Sequence, residues 1–300
     1  MSIILETNLP LPLSYRGKVR DTYDLGDQFL LIASDRISAF DFVLPCGIPD
    51  KGLVLNQISA FWFDKTEHII PNHLVKLVDT INSLDQYVSI NSACWNDVVG
   101  RSMIVRKAER VPVEAIVRGY LSGSAWAEYI KSGTISGEKQ PEGLLESQKL
   151  PQPLFTPTTK ADSGHDIPLS KQELNELVGE DIAYALMEKS LAIYEYACNY
   201  AQKRGIIIAD TKFEFGFIDG KLCLIDEVLT PDSSRFWDIN HYVVGQSQPS
   251  LDKQPLRDWL TESGWNKEPP APTLPEKIIA LTSERYKMAY SRLVGVNINK

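Results

Sequence analysis

Three hundred residues, 43% hydrophobic and 23% charged, suffice for one large domain or two packed lobes with a real core. The net charge of −8 is diffuse, which excludes the concentrated positive field that nucleic acid or an anionic membrane requires. It leaves room for small anions held by a few local Lys and Arg, so small molecules are the expected partners, with no nucleic acid and no membrane.

Cys46, Cys94, Cys198 and Cys223 form neither a CxxC pair nor a Cys/His cluster, a reducing-compartment pattern without a zinc site. The N-terminus has no basic region ahead of its apolar residues, and no apolar run approaches the roughly 18 residues of a membrane span. A cytoplasmic location is expected, with a monomer favoured.

In chain order, residues 15–33 read as a hairpin, with Leu25-Gly26-Asp27 as its turn and Gln28–Ala33 as its second strand. On the first strand Lys18 and Arg20 share a face beside a glycine that permits close backbone approach to a ligand. The same residues also fit a solvated basic edge. SDRISAFD (34–41) follows as a polar strand exit. A helix is expected around Leu55–Glu67, then two strands, Ser102–Lys107 and Val113–Arg118. The connector Ala108–Pro112 marks the expected border between an N-terminal β-rich lobe (1–110) and a C-terminal lobe (111–300).

VRGYLSGSAW places Arg118 before a glycine-bracketed turn and Ser124 at a helix start, where free N–H groups suit a phosphate. An ordinary capped helix with a surface arginine would look the same. Residues 133–170 are irregular and too long for a simple connection, as binding loops often are; within them lie Lys160, His165 and Asp166. His68, His73 and His241 lack metal-ligand spacing and read as structural. A helix from Asp181 to Arg204 stops at Gly205, and a last helix is expected near Pro275–Val294, with Trp259 and Trp265 packing the C-terminal lobe.

The most informative segment is GIIIADTKFEFGFIDGKLCLIDEVLTPDSSRFWD, residues 205–238. Strand alternation puts Asp210, Lys212 and Glu214 on one face and Phe213, Phe215 and Phe217 on the other. A two-residue turn at Asp219-Gly220 pairs Lys212 with Glu227. A three-residue loop pairs Glu214 with Asp226, and two opposed acids persist where a cation such as Mg²⁺ lies between them. The three-residue loop is the expectation taken forward; with the shorter turn, Glu227 takes the place of Asp226. Neither GxxxxGK[ST] nor GxGxxG occurs, so P-loop and Rossmann motifs are excluded.

Together YRGKVRD (15–21), SDRISAFD (34–41), VPVEAIVRGYLSGSAW (111–126), FTPTTKADSGHD (155–166), IADTKFEFG (208–216) and DEVLTPDSSRFWD (226–238) resemble the SAICAR synthetase family, in its longer, yeast-like form. The resemblance implies a two-lobed α+β fold. Its N-terminal lobe would be kinase-like and its C-terminal lobe ATP-grasp-like, with the nucleotide between them. It implies ATP-dependent ligation of L-aspartate to carboxyaminoimidazole ribonucleotide (CAIR) in purine biosynthesis, with Mg²⁺ accompanying ATP.

By the same resemblance Lys18 and Arg20 meet ATP phosphates, and the backbone of Lys107, Ala108 and Glu109 meets adenine. Glu214 and Asp226 hold the metal, with Lys212 at the transferred phosphoryl as a catalytic residue. Arg118, Ser124 and Arg235 bind the ribonucleotide's phosphate and carboxylate, and Asp210, also catalytic, faces its amino or ribose groups. Lys160, His165 and Asp166 are the aspartate-site candidates, on a segment (155–166) expected to keep water from an acyl phosphate. A small-molecule or protein kinase is the competing reading, against which stands the absence of HRDxxxxN and DFG motifs. A binding module without catalysis would have no reason to keep Lys212, Glu214, Asp226 and Arg235.

Overall fold

The computed structural model describes residues 3–40, 42–87, 93–160 and 166–298. The chain opens with β1 (Leu13–Arg16), β2 (Arg20–Asp24) and β3 (Gln28–Ala33). A small hairpin follows, β4 (Arg36–Ala39) with β5 (Phe42–Gly47), then helix α1 (Lys51–Thr66), β6 (Leu74–Leu77) and β7 (Ser102–Arg106). The first sheet runs β1-β2-β3-β7-β6. Alternation divides β3 between two cores: Leu30 and Ile32 join Tyr23, Trp95 and Ile104, whereas Phe29 and Leu31 pack on the main core shared with α1.

Lys107 and Ala108 alone connect β7 to β8 (Glu109–Tyr120). The expected connector is shorter because Glu109 and Arg110 already pair with Phe217 and Gly216. Then come α2 (Gly123–Ser132), β9 (Thr134–Ile135), β10 (Glu138–Lys139), β11 (Lys149–Phe155) and β12 (Thr158–Thr159). Helices α3 (Lys171–Val178) and α4 (Glu180–Gln202) precede β13 (Ile206–Ile218), β14 (Lys221–Ile225) and β15 (Ser234–Asp238). Helices α5 (Gln254–Glu262) and α6 (Glu276–Val294) end the described chain.

The second sheet runs β11-β8-β13-β14, with β12 added to β8 and β15 to β13. β13 is its spine. One edge pairs with β8 along most of its length; the other pairs first with β15 and then with β14. Between those partners residues 226–233 leave the sheet, so the middle of β13 is bordered by loop on one side. Phe213 and Phe215 are buried in the main core with Ile193 and Ala197 of α4, and Phe217 packs against it, as alternation predicts. The opposite face is left to polar residues.

Two expectations are corrected. Lys18 lies in the Gly17–Val19 turn between β1 and β2, so it shares no strand face with Arg20. Trp259 and Trp265 pack with α5 onto β4–β5, around Ile37, Leu44 and Ile48, and so cover the N-terminal part of the chain. The C-terminal helices wrap back because α6 lies along α1, with the Tyr286 hydroxyl donating to Asp232 at 2.5 Å. Lys51 (2.9 Å) and Lys253 (3.3 Å) pair with the same buried carboxylate.

The Gly17–Val19 turn is fixed from below. The buried Arg36 guanidinium donates to the carbonyls of Gly17 (3.0 Å), Lys18 (3.3 Å) and Arg20 (3.1 Å), and to Asp21 Oδ1 at 2.7 Å. Asp21 also accepts from Thr7 N–H (3.0 Å) and Oγ1 (2.7 Å). Burial opposes the Asp21 charge, but the Arg36 and Thr7 hydrogen bonds and the Arg36 charge outweigh it, holding the carboxyl below its ordinary range. A lowered folded pKa contributes stability above the unfolded value of about 4, which is lost as pH falls toward the folded value. Asp21→Asn should therefore reduce stability near neutrality and flatten the decline below about pH 4, read as urea midpoints across pH.

Candidate active site

Cross-strand register builds the polar face in rows. Asp210 of β13 sits opposite Arg118 of β8 and Arg235 of β15; Lys212 sits opposite Ile116; Glu214 sits opposite Glu114. Directly opposed residues share a face, so an arginine-flanked acid and a pair of facing glutamates lie on one surface, four residues apart along β13.

At the first station Asp210 Oδ2 accepts from Arg118 Nη1 at 3.4 Å and from Arg235 Nη1. Arg118 also donates to Thr156 Oγ1 (3.0 Å) and Ser124 Oγ (3.2 Å). Burial acts against the Arg118 charge and lowers its pKa, whereas for Arg235 the Asp210 carboxylate prevails and raises it. Gly123, at φ +58°, opens α2; a Cβ there would collide with Arg235 Nη2. Beside it lies a polar cavity of about 140 Å³, lined by Ser122, Gly123, Arg235, Trp237, Gln248 and Gln254, and the buried Ser122 hydroxyl has no partner among the described residues.

At the second station Lys160 Nζ donates to both Glu114 and Glu214, 2.7 Å to each, and Lys212 Nζ donates to Glu114 at 2.8 Å. Burial works against both ammonium groups, but the carboxylates raise their pKa. Glu114 is lowered because Lys212 and Lys160 outweigh its burial. Glu214 is raised, first by burial and then by the like charge of Asp226. Arg20 closes this end of the site, 2.5 Å from Asp226 and 3.9 Å from Glu227, crossing from the first sheet to the loop after β14. Beneath it His73 is buried, with no partner for Nε2 among the described residues, its pKa pushed down to about 4 by burial.

The hairpin register contradicts the expected three-residue loop. Ile218 pairs with Lys221 across the two-residue turn Asp219-Gly220, both at positive φ (50° and 72°), and Glu214 therefore faces Ile225. Regular alternation would put Asp226 on the phenylalanine face. It does not continue the strand: Asp226 adopts φ +67°, which turns its carboxylate to the polar side, where it raises Glu214 and meets Arg20. Glu227 accepts instead from Thr230 Oγ1 at 2.7 Å. The opposed acids that strand logic anticipated are Glu114 and Glu214, on neighbouring strands of the sheet rather than across the hairpin.

The structure thus brings together Arg20, Arg118, Ser124, Lys160, Asp210, Lys212, Glu214, Asp226 and Arg235. Lys18 is exposed on the turn above Arg20. Lys107 is the start of the inter-sheet connector, its Nζ 2.9 Å from Asp24 and over the Phe29 ring; Ala108 and Glu109 follow it. Asp166 is exposed at the far end of the 155–166 segment, and His165 lies outside the described residues. Glu114 was missed, although an acid inside the apolar run VPVEAIV was a visible signal. So was the bracing role of Arg36.

An arginine–serine cradle beside an acid–lysine cluster, on a sheet centre facing a second sheet, defines an α+β enzyme that handles anionic small molecules. The family description "SAICAR synthetase" matches residues 13–272. The phosphoribosylaminoimidazole-succinocarboxamide synthases of Thermodesulfovibrio yellowstonii and Syntrophotalea carbinolica are 55% and 52% identical over 98% of this chain, covering 99% and 98% of their own lengths. The structure of the Saccharomyces cerevisiae SAICAR-synthase complexed with SAICAR superposes with a TM-score of 0.88 at 44% identity, over 98% of this chain and 99% of that one. The chain belongs to the SAICAR synthetase family, in its yeast-like form, and is an ATP-dependent ligase of purine biosynthesis acting on small molecules. Among the described residues, no helix is long and apolar enough to cross a membrane.

Gly123→Ala should displace the Arg235 guanidinium. Turnover measured as ADP release is expected to fall about tenfold or more through misplacement of the cradle, while urea unfolding registers a loss of about 1 kcal/mol for the positive φ.

Proposed function

We propose that the enzyme joins L-aspartate to CAIR, giving SAICAR, ADP and phosphate through an acyl phosphate. One observation carries this reading: a single strand presents two anion-handling stations, at Asp210 and Glu214, roughly 13 Å apart at strand rise. That separation suits a ribonucleotide held at the first station while the phosphoryl group and its metal are handled at the second.

In this reading Arg118, Ser124 and Arg235 take the phosphate and carboxylate of CAIR, with Asp210 orienting both arginines and meeting an amino or ribose group. The polar cavity at the start of α2, with its buried Ser122 hydroxyl, supports a bound anion there. ATP lies between an N-terminal lobe (1–110) and a C-terminal lobe (111–300), its adenine at the backbone of Lys107, Ala108 and Glu109 and its phosphates at Lys18 and Arg20. Lys160, His165 and Asp166 serve the L-aspartate side.

A carboxylate does not accept an amine directly because oxide is a very poor leaving group. The CAIR carboxylate oxygen attacks the γ-phosphorus and ADP leaves. The aspartate amine then attacks the carbonyl carbon, and phosphate departs with that same oxygen as the amine loses its proton. Lys212 and Arg20 place positive charge where the phosphoryl group passes, so positioning and neutralisation make up most of the catalysis.

Mg²⁺ fits the residues present. Glu214 is raised by burial and then by the adjacent Asp226 charge, which places two hard oxygen donors side by side. Mg²⁺ keeps several waters and phosphate oxygens in its shell, so one or two carboxylates suffice to hold it. Glu214 and Asp226 would hold it, and when bound it neutralises phosphate charge.

With ¹⁸O in the CAIR carboxylate, one label should appear in the released phosphate, read by mass spectrometry; its absence would exclude the acyl phosphate. Lys212→Met should lower aspartate-dependent ADP release roughly a hundredfold or more, with the native unfolding midpoint retained.

A further inference from the structure

Two glutamates directly opposed at the centre of a sheet repel unless a cation separates them. Here the cation belongs to the chain: Lys160 Nζ bridges Glu114 and Glu214, 2.7 Å from each. The Lys160 backbone is pinned, its N–H donating to Pro112 O at 3.1 Å just after β12 pairs Thr158 with Glu114 and Thr159 with Val113. Glu114 is the more buried acid, 4% exposed, and it alone receives both lysines. Counting Asp226 and Glu227, four carboxylates meet three cations, Arg20, Lys160 and Lys212.

We propose that Glu114 is a positioning residue that holds Lys160 and Lys212 side by side, and that Lys160 guards Glu214, releasing it to an incoming divalent cation while remaining on Glu114. Both lysines converge on Glu114 Oε1, so Glu114 carries two positive charges of its own before any metal arrives. Glu214 has one partner to exchange. The lysine therefore keeps the opposed acids from repelling each other before the cation arrives, and afterwards stands next to Lys212 at the phosphoryl end. This inference rests on the phosphoryl-transfer reading of the second station.

The test is Mn²⁺ binding to the nucleotide-free protein, followed by electron paramagnetic resonance, which needs no substrate and no turnover. Lys160→Met removes the competitor and should tighten Mn²⁺ about tenfold or more. Glu114→Gln leaves Lys160 wholly to Glu214 and should weaken it, and the double variant should bind more tightly than Glu114→Gln. Unchanged or weaker Mn²⁺ binding by Lys160→Met overturns the exchange.

For the positioning role, Glu114→Gln should lower kcat with little change in the KM for ATP, and Glu114→Asp should restore part of it. A Gln variant with native kcat, or an Asp variant as slow as Gln at an unchanged unfolding midpoint, overturns that role. Lys160→Met is part-exposed and supplies the readable arm should Glu114→Gln fail to fold. If the wild-type protein shows no aspartate-dependent ADP release, the ligation reading fails while the Mn²⁺ result stands by itself.

Discussion

The site depends on keeping like charges apart in the middle of a sheet. Glu114 and Glu214 face each other across β8 and β13, a pairing that costs stability unless cations intervene, and Lys160 and Lys212 do so. The cost enforces order on its surroundings. A one-residue slip of β8 would drive Glu114 into the core and bring Val113 or Ala115 to the polar face. The apolar side of both strands, packed against α4, makes such a slip prohibitive. Core packing thus fixes the register, and the register fixes which charges meet.

The first sheet contributes one side chain to this arrangement, and much of its architecture serves to deliver it. Arg20 begins β2 immediately after a turn that Arg36 fastens at three carbonyls and at Asp21. A buried arginine spending its donors on backbone oxygens makes the turn rigid, because each lost bond would strand a buried polar group. Arg20 then reaches Asp226 and Glu227 of the other sheet. The two sheets also meet where Asn72 bridges to Leu224 and along α1, so an ion pair, a backbone bridge and a shared core align them.

Much of this was legible in the sequence, and what was not has physical reasons. The alternation of Asp210, Lys212 and Glu214 against Phe213 and Phe215 gave the face of β13 correctly, because one face is buried and alternation has no freedom there. Helices α4 and α6 lie within two residues of their expected bounds and α2 opens beside Ser124, whereas α1 begins at Lys51, four residues before the expected Leu55. The partner strand was not legible: Glu114 and Glu214 are 100 residues apart, and no local pattern reports that β8 lies beside β13. Lys18 was misplaced on a strand because Gly17 breaks the extended chain. Trp259 and Trp265 were assigned to the wrong part of the molecule because an amphipathic helix does not state which core it covers.

The failure at Asp226 is the most instructive, since the residue joins the charge cluster although the register expected to bring it there does not hold. A strand supplies side chains to a given face only at every second position, and the turn Asp219-Gly220 commits Asp226 to the wrong one. A carboxylate beside Glu214 therefore cannot come from a continuing strand. The chain breaks the strand there and adopts φ +67° at a non-glycine residue, a conformation that costs of order 1–3 kcal/mol. Ionic contact with Arg20 and the charges of Lys160 and Lys212 offset that cost and hold the Asp226 carboxyl lowered against its burial. Strain at this position is what allows two faces of one hairpin to converge on a single charge cluster. A local rule of strand geometry is broken at the one place where obeying it would dismantle the site.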